Sequence, residues 1–401
     1  MSTQLAPKNV FGRDNLIKRI WRLLMKFSVV FTAERRIGKT TVMQKMQTEA
    51  PKGAVVTYLD LEKIDSPCRF VEVLLEEVNN LLPKTEQAKN MFKKMLRAFG
   101  GSEIAGVIKI PELDRANWQS ALEKTIAAIC EQQDAMVIFL FDELPYMLQK
   151  IAVREKQQGE NGDHAALAIL DSLRAMRAEH RNLRMVFAGS IGLHHVIDSL
   201  RGADFASQPF NEMETVEIGP LEQADASALA IHLLQEEMGE CACQEEVAGE
   251  IVKLTDRVPF YIERVIMRLA FNETSVTPAT IQQQVQDFLT SDSDHWEMEH
   301  FRKRIPIYYP GTIDLAGNSQ PEAKLVMIIL DILAIEANAQ SIDQVYAATK
   351  ARIPLTDREL VIDLLRKLSL DHYLTCDDQK RYSFRFPLIR QWWIYAQGLT
   401  A

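Results

Sequence analysis

Three features of this 401-residue sequence predict an α/β protein with a parallel sheet, a helical lid and a C-terminal winged helix-turn-helix. Apolar strands alternate with helices from about residue 9 to 220, the pattern of a parallel sheet covered by helices. Beyond Gly219-Pro220 the pattern is helical through about Arg304. From Glu322 onward it reads as helices followed by a hairpin.

The elements follow in chain order. Asn9–Arg13 reads as an entry turn, and Asp14 is placed to cap a helix from Asn15 to Lys26. Phe27–Thr32 (FSVVFT) and Ala54–Leu61 (AVVTYLDL) are strands, separated by a turn over Ala33–Lys39 and a helix over Thr40–Thr48. Residues 66–98 read as helical, Gly100–Pro111 as a loop or hairpin, and Trp118–Gln132 as a helix. Met136–Phe141 (MVIFLF) is apolar without alternation, which suits a central strand covered on both faces. A polar loop over Glu155–Asp163, a helix over Ala165–His180 and strands over Leu183–Ala188 and Val216–Ile218 complete the core.

Tyr308–Pro321 holds several chain breakers and reads as a linker. Glu322–Glu336 is an apolar helix. Ser341–Gln344 and Thr356–Glu359 both fit the capping-box pattern, and Tyr373–Cys376 with Arg381–Phe386 forms a hairpin. The expected domains are a core over 1–220, a lid over 221–307 and a winged helix over 308–401.

Composition narrows the function. The net charge of −9 argues against a broadly basic nucleic-acid coat, though a local basic patch stays open. The odd set Cys68, Cys130, Cys241, Cys243 and Cys376 lacks framework or zinc spacing and fits a reducing compartment. Met1–Arg13 has no apolar signal region, and no stretch approaches a membrane span, so a cytoplasmic protein is expected.

The chemistry lies in two segments. Ala33, Glu34, Arg35, Arg36, Ile37, Gly38, Lys39, Thr40 and Thr41 (AERRIGKTT) join a strand to a helix and nearly match the phosphate-binding GxxxxGK(S/T) loop. Such a loop turns backbone N–H groups inward, and the helix N-terminus adds a favourable dipole for a polyphosphate. Gly38 allows close backbone approach, Lys39 reaches the β- and γ-phosphates, and Thr40 ligates magnesium. Ala33 stands where the pattern begins with Gly, a fault only if the turn needs positive φ there. Asp142 and Glu143 close the apolar strand. Two carboxylates at a buried strand end are costly unless used. Asp142 would hold Mg2+ through water, and Glu143 would orient and deprotonate the water that attacks ATP. Ser190, after another apolar strand, reads as a γ-phosphate sensor or a helix N-cap.

FGR (11–13), AERRIGKTT (33–41), VTYLDLE (56–62), VIFLFDELPYML (137–148), MVFAGSIGL (185–193) and VEIGPL (216–221) occur in the order seen in AAA+/STAND-type P-loop ATPases. The chain resembles the archaeal-ATPase and Orc/Cdc6-like group with an RRxGKT loop. The resemblance implies a P-loop NTPase core, a helical lid and a winged helix that close around nucleotide. It places Pro259, in Thr255–Tyr261 (TDRVPFY), against the base, with Arg257 where the group usually has Gly. It also implies oligomers in which a neighbour's arginine reaches the γ-phosphate. Arg201 matches that position, with Arg174 and Arg177 as alternatives.

The expected function is a slow, Mg2+-dependent ATPase switch acting on DNA or DNA-bound partners. Lys380, Arg381 and Arg385 on the wing and Arg366 and Lys367 on the preceding helix are the basic groups, opposed by Asp377 and Asp378 at the wing turn. The alternative is a signalling or scaffold ATPase whose winged helix docks protein, with Trp392-Trp393 as a candidate contact, although such a pair is more often core. A nucleotide-binding protein without hydrolysis has only Ala33 and Arg257 in its favour.

Overall fold

The structure is a computed structural model. It describes residues 10–82, 90, 93–94, 97, 102–104, 107–109, 116–132, 135–159, 162–189, 192, 195–196, 210–239, 244–271, 276–291, 293–315, 318–354 and 356–400. The chain divides into two compact units, Met1–Ile218 and Gly219–Ala401.

The first unit is built on a five-stranded sheet. Its strands are β1 (Ser28–Thr32), β2 (Ala54–Asp60), β5 (Met136–Asp142), β6 (Leu183–Phe187) and β7 (Met213–Glu217), in the order β2-β5-β6-β1-β7. Every pairing is parallel. The helices are α1 (Asp14–Leu24), α2 (Lys39–Thr48), α3 (Pro67–Leu81), α4 (Trp118–Glu131), α5 (Leu144–Gln157) and α6 (Gly162–Glu179). A hairpin of β3 (Ser102–Ile104) and β4 (Val107–Lys109) lies between α3 and α4 in sequence.

Strand β5 is apolar from Met136 to Phe141, as a strand buried on both faces requires. Phe139 and Phe141 stack at 5.6 Å on one face, where Phe141 also meets Phe70 and Phe187. Each fully buried aromatic of this kind contributes about 2–3 kcal/mol.

Two local expectations are corrected here. Asp14 does not cap α1. It is the first helical residue, and its carboxylate pairs with Lys45 at 2.8 Å. The polar loop at Glu155–Asp163 is shorter than its composition suggests. Helix α5 runs through Gln157, because Glu155 turns inward and is buried.

The second unit begins with α7 (Gln223–Met238), α8 (Gln244–Leu254), α9 (Pro259–Phe271), α10 (Pro278–Thr290), α11 (Glu299–Lys303) and the single turn α12 (Ile305–Tyr308). Where a linker was expected, β8 (Thr312–Leu315) and β9 (Asn318–Pro321) pair as an antiparallel hairpin. Then come α13 (Glu322–Ile335), β10 (Gln340–Ser341), α14 (Ile342–Arg352), α15 (Arg358–Leu370), β11 (Leu374–Cys376), β12 (Arg381–Phe384) and α16 (Pro387–Ala396). Helices α13–α15 with the antiparallel sheet β10-β12-β11 make the winged helix.

The Ser341–Gln344 capping box forms in full. The Thr356–Glu359 one does not. Asp357 occupies the N-cap of α15 without a side-chain bond, while the Thr356 hydroxyl donates back to Ile353 O at 2.8 Å.

The expected boundary at 307/308 falls inside this unit, at a buried polar cluster. Arg304 donates from Nε to the Tyr373 hydroxyl (2.7 Å) and from Nη2 to Asp371 O (3.2 Å). The Tyr309 hydroxyl donates to Asp371 Oδ2 at 2.6 Å. Groups buried this deeply are costly to leave unpaired, so the cluster joins α11 and α12 to the turn after α15. Trp392 and Trp393 are core residues rather than a surface pair, and Trp393 Nε1 donates to Asp331 at 2.8 Å.

Candidate functional site

The loop between β1 and α2 is shaped by two left-handed residues, Arg36 (φ 70) and Gly38 (φ 98). Gly38 is the N-cap of α2, so the first N–H groups of that helix face the loop. A methyl group on Gly38 would meet only Thr41 Cβ, at 4.0 Å, so its backbone conformation is what requires glycine. Ala33 lies outside the left-handed region, so alanine is unstrained at the loop's first position.

Buried Arg13 donates to Ile37 O at 2.9 Å and pins the loop to the start of α1. Glu34 is buried and accepts from Arg35 N at 2.7 Å. The Lys39 side chain is 7% exposed, and its ammonium donates to Ala33 O at 3.0 Å and Glu34 O at 3.5 Å.

The acidic strand end meets this loop. The Thr40 hydroxyl donates to Asp142 Oδ2 at 2.6 Å, across 102 residues of sequence. Asp142 is 3% exposed. Its Oδ1 accepts from Glu143 N at 3.1 Å. Its Oδ2 also accepts from the Tyr58 hydroxyl at 3.1 Å. Burial, and then the charge of Asp142, push the Tyr58 phenol well above its ordinary range, so it stays a hydrogen-bond donor. Sequence reasoning missed Tyr58. The signal was its place on β2, two residues before Asp60, which lies in register with Asp142.

Glu143 is held in an unusual backbone state, with φ 56 and ψ 29 at the N-cap of α5. For a non-glycine residue this costs roughly 1–2 kcal/mol. The neighbouring strand supports it. Leu144 N donates to Ala188 O at 3.1 Å, and Ala188 N to Phe141 O at 2.9 Å.

Lys39, Thr40, Asp142 and Glu143 therefore come together in the first unit. Pro259 belongs to the second unit, where it starts α9. Ser190 and Arg201 lie outside the described residues, as do Cys241 and Cys243. Of the alternative arginines, Arg174 is exposed on α6, whereas Arg177 lies over the Phe187 ring at 5.6 Å. Burial lowers the pKa of Arg177 to about 10.

The loop suits a nucleotide and a divalent cation. It offers open space beside Gly38, a buried ammonium on backbone carbonyls, and a hydroxyl–carboxylate pair of hard oxygens at one point.

In the Thr255–Tyr261 turn, Asp256 (φ 51) and Arg257 (φ 61) are both left-handed, which accounts for a glycine being favoured at the second position. Asp256 Oδ2 accepts from Leu388 N at 2.8 Å and so caps α16 of the winged helix. Burial raises its pKa from 3.8 to about 6, against the opposing pull of that N–H and of Arg257.

A raised folded-state pKa stabilises the fold fully below pH 3.8, and that stabilisation is lost as pH rises through about 6. Asp256→Asn keeps an acceptor without the charge. It should match wild type near pH 4 and exceed it at pH 8 by up to about 3 kcal/mol. Urea unfolding of both proteins across this range checks the sign. A variant less stable at pH 8 contradicts it.

The fold is shared with the Walker-type ATPase of Pyrococcus abyssi at 16% identity, covering 98% of this chain and 99% of that one, with a TM-score of 0.62. A STAND protein with a tetratricopeptide repeat sensor from Pyrococcus horikoshii is a weaker likeness (14% identity, 96% of this chain and 42% of that one, TM-score 0.35). DnaA from Aquifex aeolicus is another (13% identity, 92% of each chain, TM-score 0.39). No family model matches the sequence, and no curated protein does. Among the described residues, no helix is long and apolar enough to cross a membrane.

Proposed function

We propose that this chain, whose fold is that of a Walker-type ATPase, is a slow ATP-hydrolysing switch. One observation carries the reading. The first turn of α2 and the end of β5 meet at the Thr40–Asp142 hydrogen bond, 2.6 Å long, with buried Lys39 beside Thr40 and Glu143 beside Asp142.

The loop amides and Lys39 hold the β- and γ-phosphates of ATP. Thr40, and Asp142 through water, would hold Mg2+, which would neutralise charge on the phosphate oxygens. Glu143 accepts a proton from water as the water oxygen bonds to the γ-phosphorus. The bond from that phosphorus to the bridging oxygen breaks, and its electron pair leaves on ADP. Pro259 as a base contact, Ser190 as a sensor and Arg201 or Arg174 acting in trans within an oligomer extend this reading. So does the division into core, lid and winged helix at 220 and 307. The odd number of cysteines, without framework spacing, supports a reducing, cytoplasmic setting.

The winged helix is the output module, acting on DNA or on DNA-bound partners. A second reading, a protein-docking scaffold ATPase, is favoured by the charges on that module. Arg381 is held by Asp377 at 2.8 Å. Lys367 pairs with Asp363 at 2.8 Å, and Arg385 lies 3.0 Å from His372. Of the basic groups nominated for phosphate contact, Arg366 and Lys380 are exposed.

Labelled-ATP binding and phosphate release at millimolar magnesium test the switch. Absence of both removes it. A mobility-shift assay at low salt with ATP separates the outputs. DNA binding that weakens with salt supports the first. No binding, together with a stoichiometric protein partner, supports the second.

A further inference from the structure

Gly189 follows the end of β6, and its backbone lies outside the left-handed region, so its φ does not demand glycine. Its surroundings do. A methyl group there would stand 2.5 Å from Pro145 Cδ, 2.8 Å from Pro145 Cγ and 3.6 Å from Glu143 Oε2. The obstacle is a proline ring in the first turn of α5, a rigid group with no side-chain torsion to turn it away. Pro145 is buried, and Leu144 N is already committed to Ala188 O. Residues 143–145 therefore move together or not at all.

Resting on the ATPase reading above, we propose that Gly189 and Pro145 are positioning residues for hydrolysis. The proline ring seats in the space left by the missing side chain, and this seat fixes where the Glu143 carboxylate stands. Three restraints act on Glu143 from separate directions. Asp142 Oδ1 accepts its N–H, Ala188 O accepts the next N–H, and the Pro145 ring rests on Gly189. The first two set the backbone path. The third sets how deeply the start of α5 approaches β6, and so how far the carboxylate projects. The Pro145–Gly189 contact involves neither Lys39 nor the Thr40–Asp142 bond, so nucleotide binding should be separable from turnover at this seat.

The test uses the full chain and compares wild type, Gly189→Ala, Pro145→Ala, the double variant and Glu143→Gln. Affinity for Mg-ATP is read with a fluorescent ATP analogue, and turnover by phosphate release. Gly189→Ala should lower kcat by roughly 10–100-fold, the scale of an ångström-size misplacement, with affinity within about twofold of wild type. Pro145→Ala vacates the seat from the other side and should lower kcat by a smaller factor, again at unchanged affinity. The double variant should recover to near the level of Pro145→Ala, because the shorter side chain makes room for the new methyl.

Unchanged kcat in Gly189→Ala, an equal loss of affinity and turnover, or a double variant no better than Gly189→Ala overturns the proposal. If Gly189→Ala does not fold, Pro145→Ala decides, and wild-type turnover there overturns it. Wild type without turnover, or Glu143→Gln with full turnover, overturns the ATPase reading as well. With those two controls as expected, failure belongs to the seat alone.

Discussion

Replacing Glu143 with glutamine is expected to lower ATP turnover by roughly 10²–10⁴-fold, the range a positioned general base contributes, while Mg-ATP binding stays within a few-fold of wild type. The separation follows from the geometry. Thr40, Asp142 and Lys39 are tied to one another or to the loop backbone, and these bonds do not involve the Glu143 carboxylate. Glutamine has the same shape, leaves the backbone at φ 56 undisturbed, and keeps the Glu143 N–H to Asp142 bond. It loses the negative charge and with it the ability to take a proton from water. Phosphate release and retention of labelled ATP, measured on one preparation, report the two quantities. Turnover within a few-fold of wild type would assign the base elsewhere. Loss of binding would mean that Glu143 supports the loop rather than the reaction.

The parts of the site that were legible in the sequence are the local ones. A glycine before a lysine and a threonine at a strand-to-helix turn, and two acids after six apolar residues, each carry their meaning in a short window. Ala33 was ambiguous in sequence because only the backbone angle decides whether alanine fits there, and the angle permits it. What stayed hidden depends on residues far apart. Tyr58 bonds a carboxylate 84 residues away, and Gly189 is required by a ring on a different element.

The errors have the same origin. Thr356 fits a capping pattern, but its hydroxyl is taken by Ile353 O. Breakers over 308–321 suggested a linker, whereas the chain between them pairs across a hairpin that has no strong alternation to announce it. Trp392 and Trp393 are not such an error: an adjacent aromatic pair reads more readily as core than as a contact, and both are buried. The middle of α16 buries both, and Asp331 accepts the indole N–H of Trp393.

Lys39→Ala should remove nucleotide binding rather than the fold. The ammonium is buried against Ala33 O and Glu34 O, so without nucleotide it bonds to the loop's own carbonyls. With ATP those contacts exchange for charged phosphate oxygens. Charge-assisted hydrogen bonds of this kind are worth about 1.5–3 kcal/mol each. Losing two of them weakens binding by roughly 10²–10⁴-fold. The consequence can be read in thermal unfolding. At ATP near 100 times its Kd, wild type gains about 2.7 kcal/mol, which for a unit of this size is a rise of roughly 5–10 °C. The variant should unfold within a few degrees of wild type without nucleotide and show no rise at the same ATP concentration. A variant that keeps the wild-type rise would place the triphosphate away from the β1–α2 loop. A large fall in Tm without nucleotide would make Lys39 a structural ammonium, whose bonds to Ala33 and Glu34 hold the loop closed for its own stability.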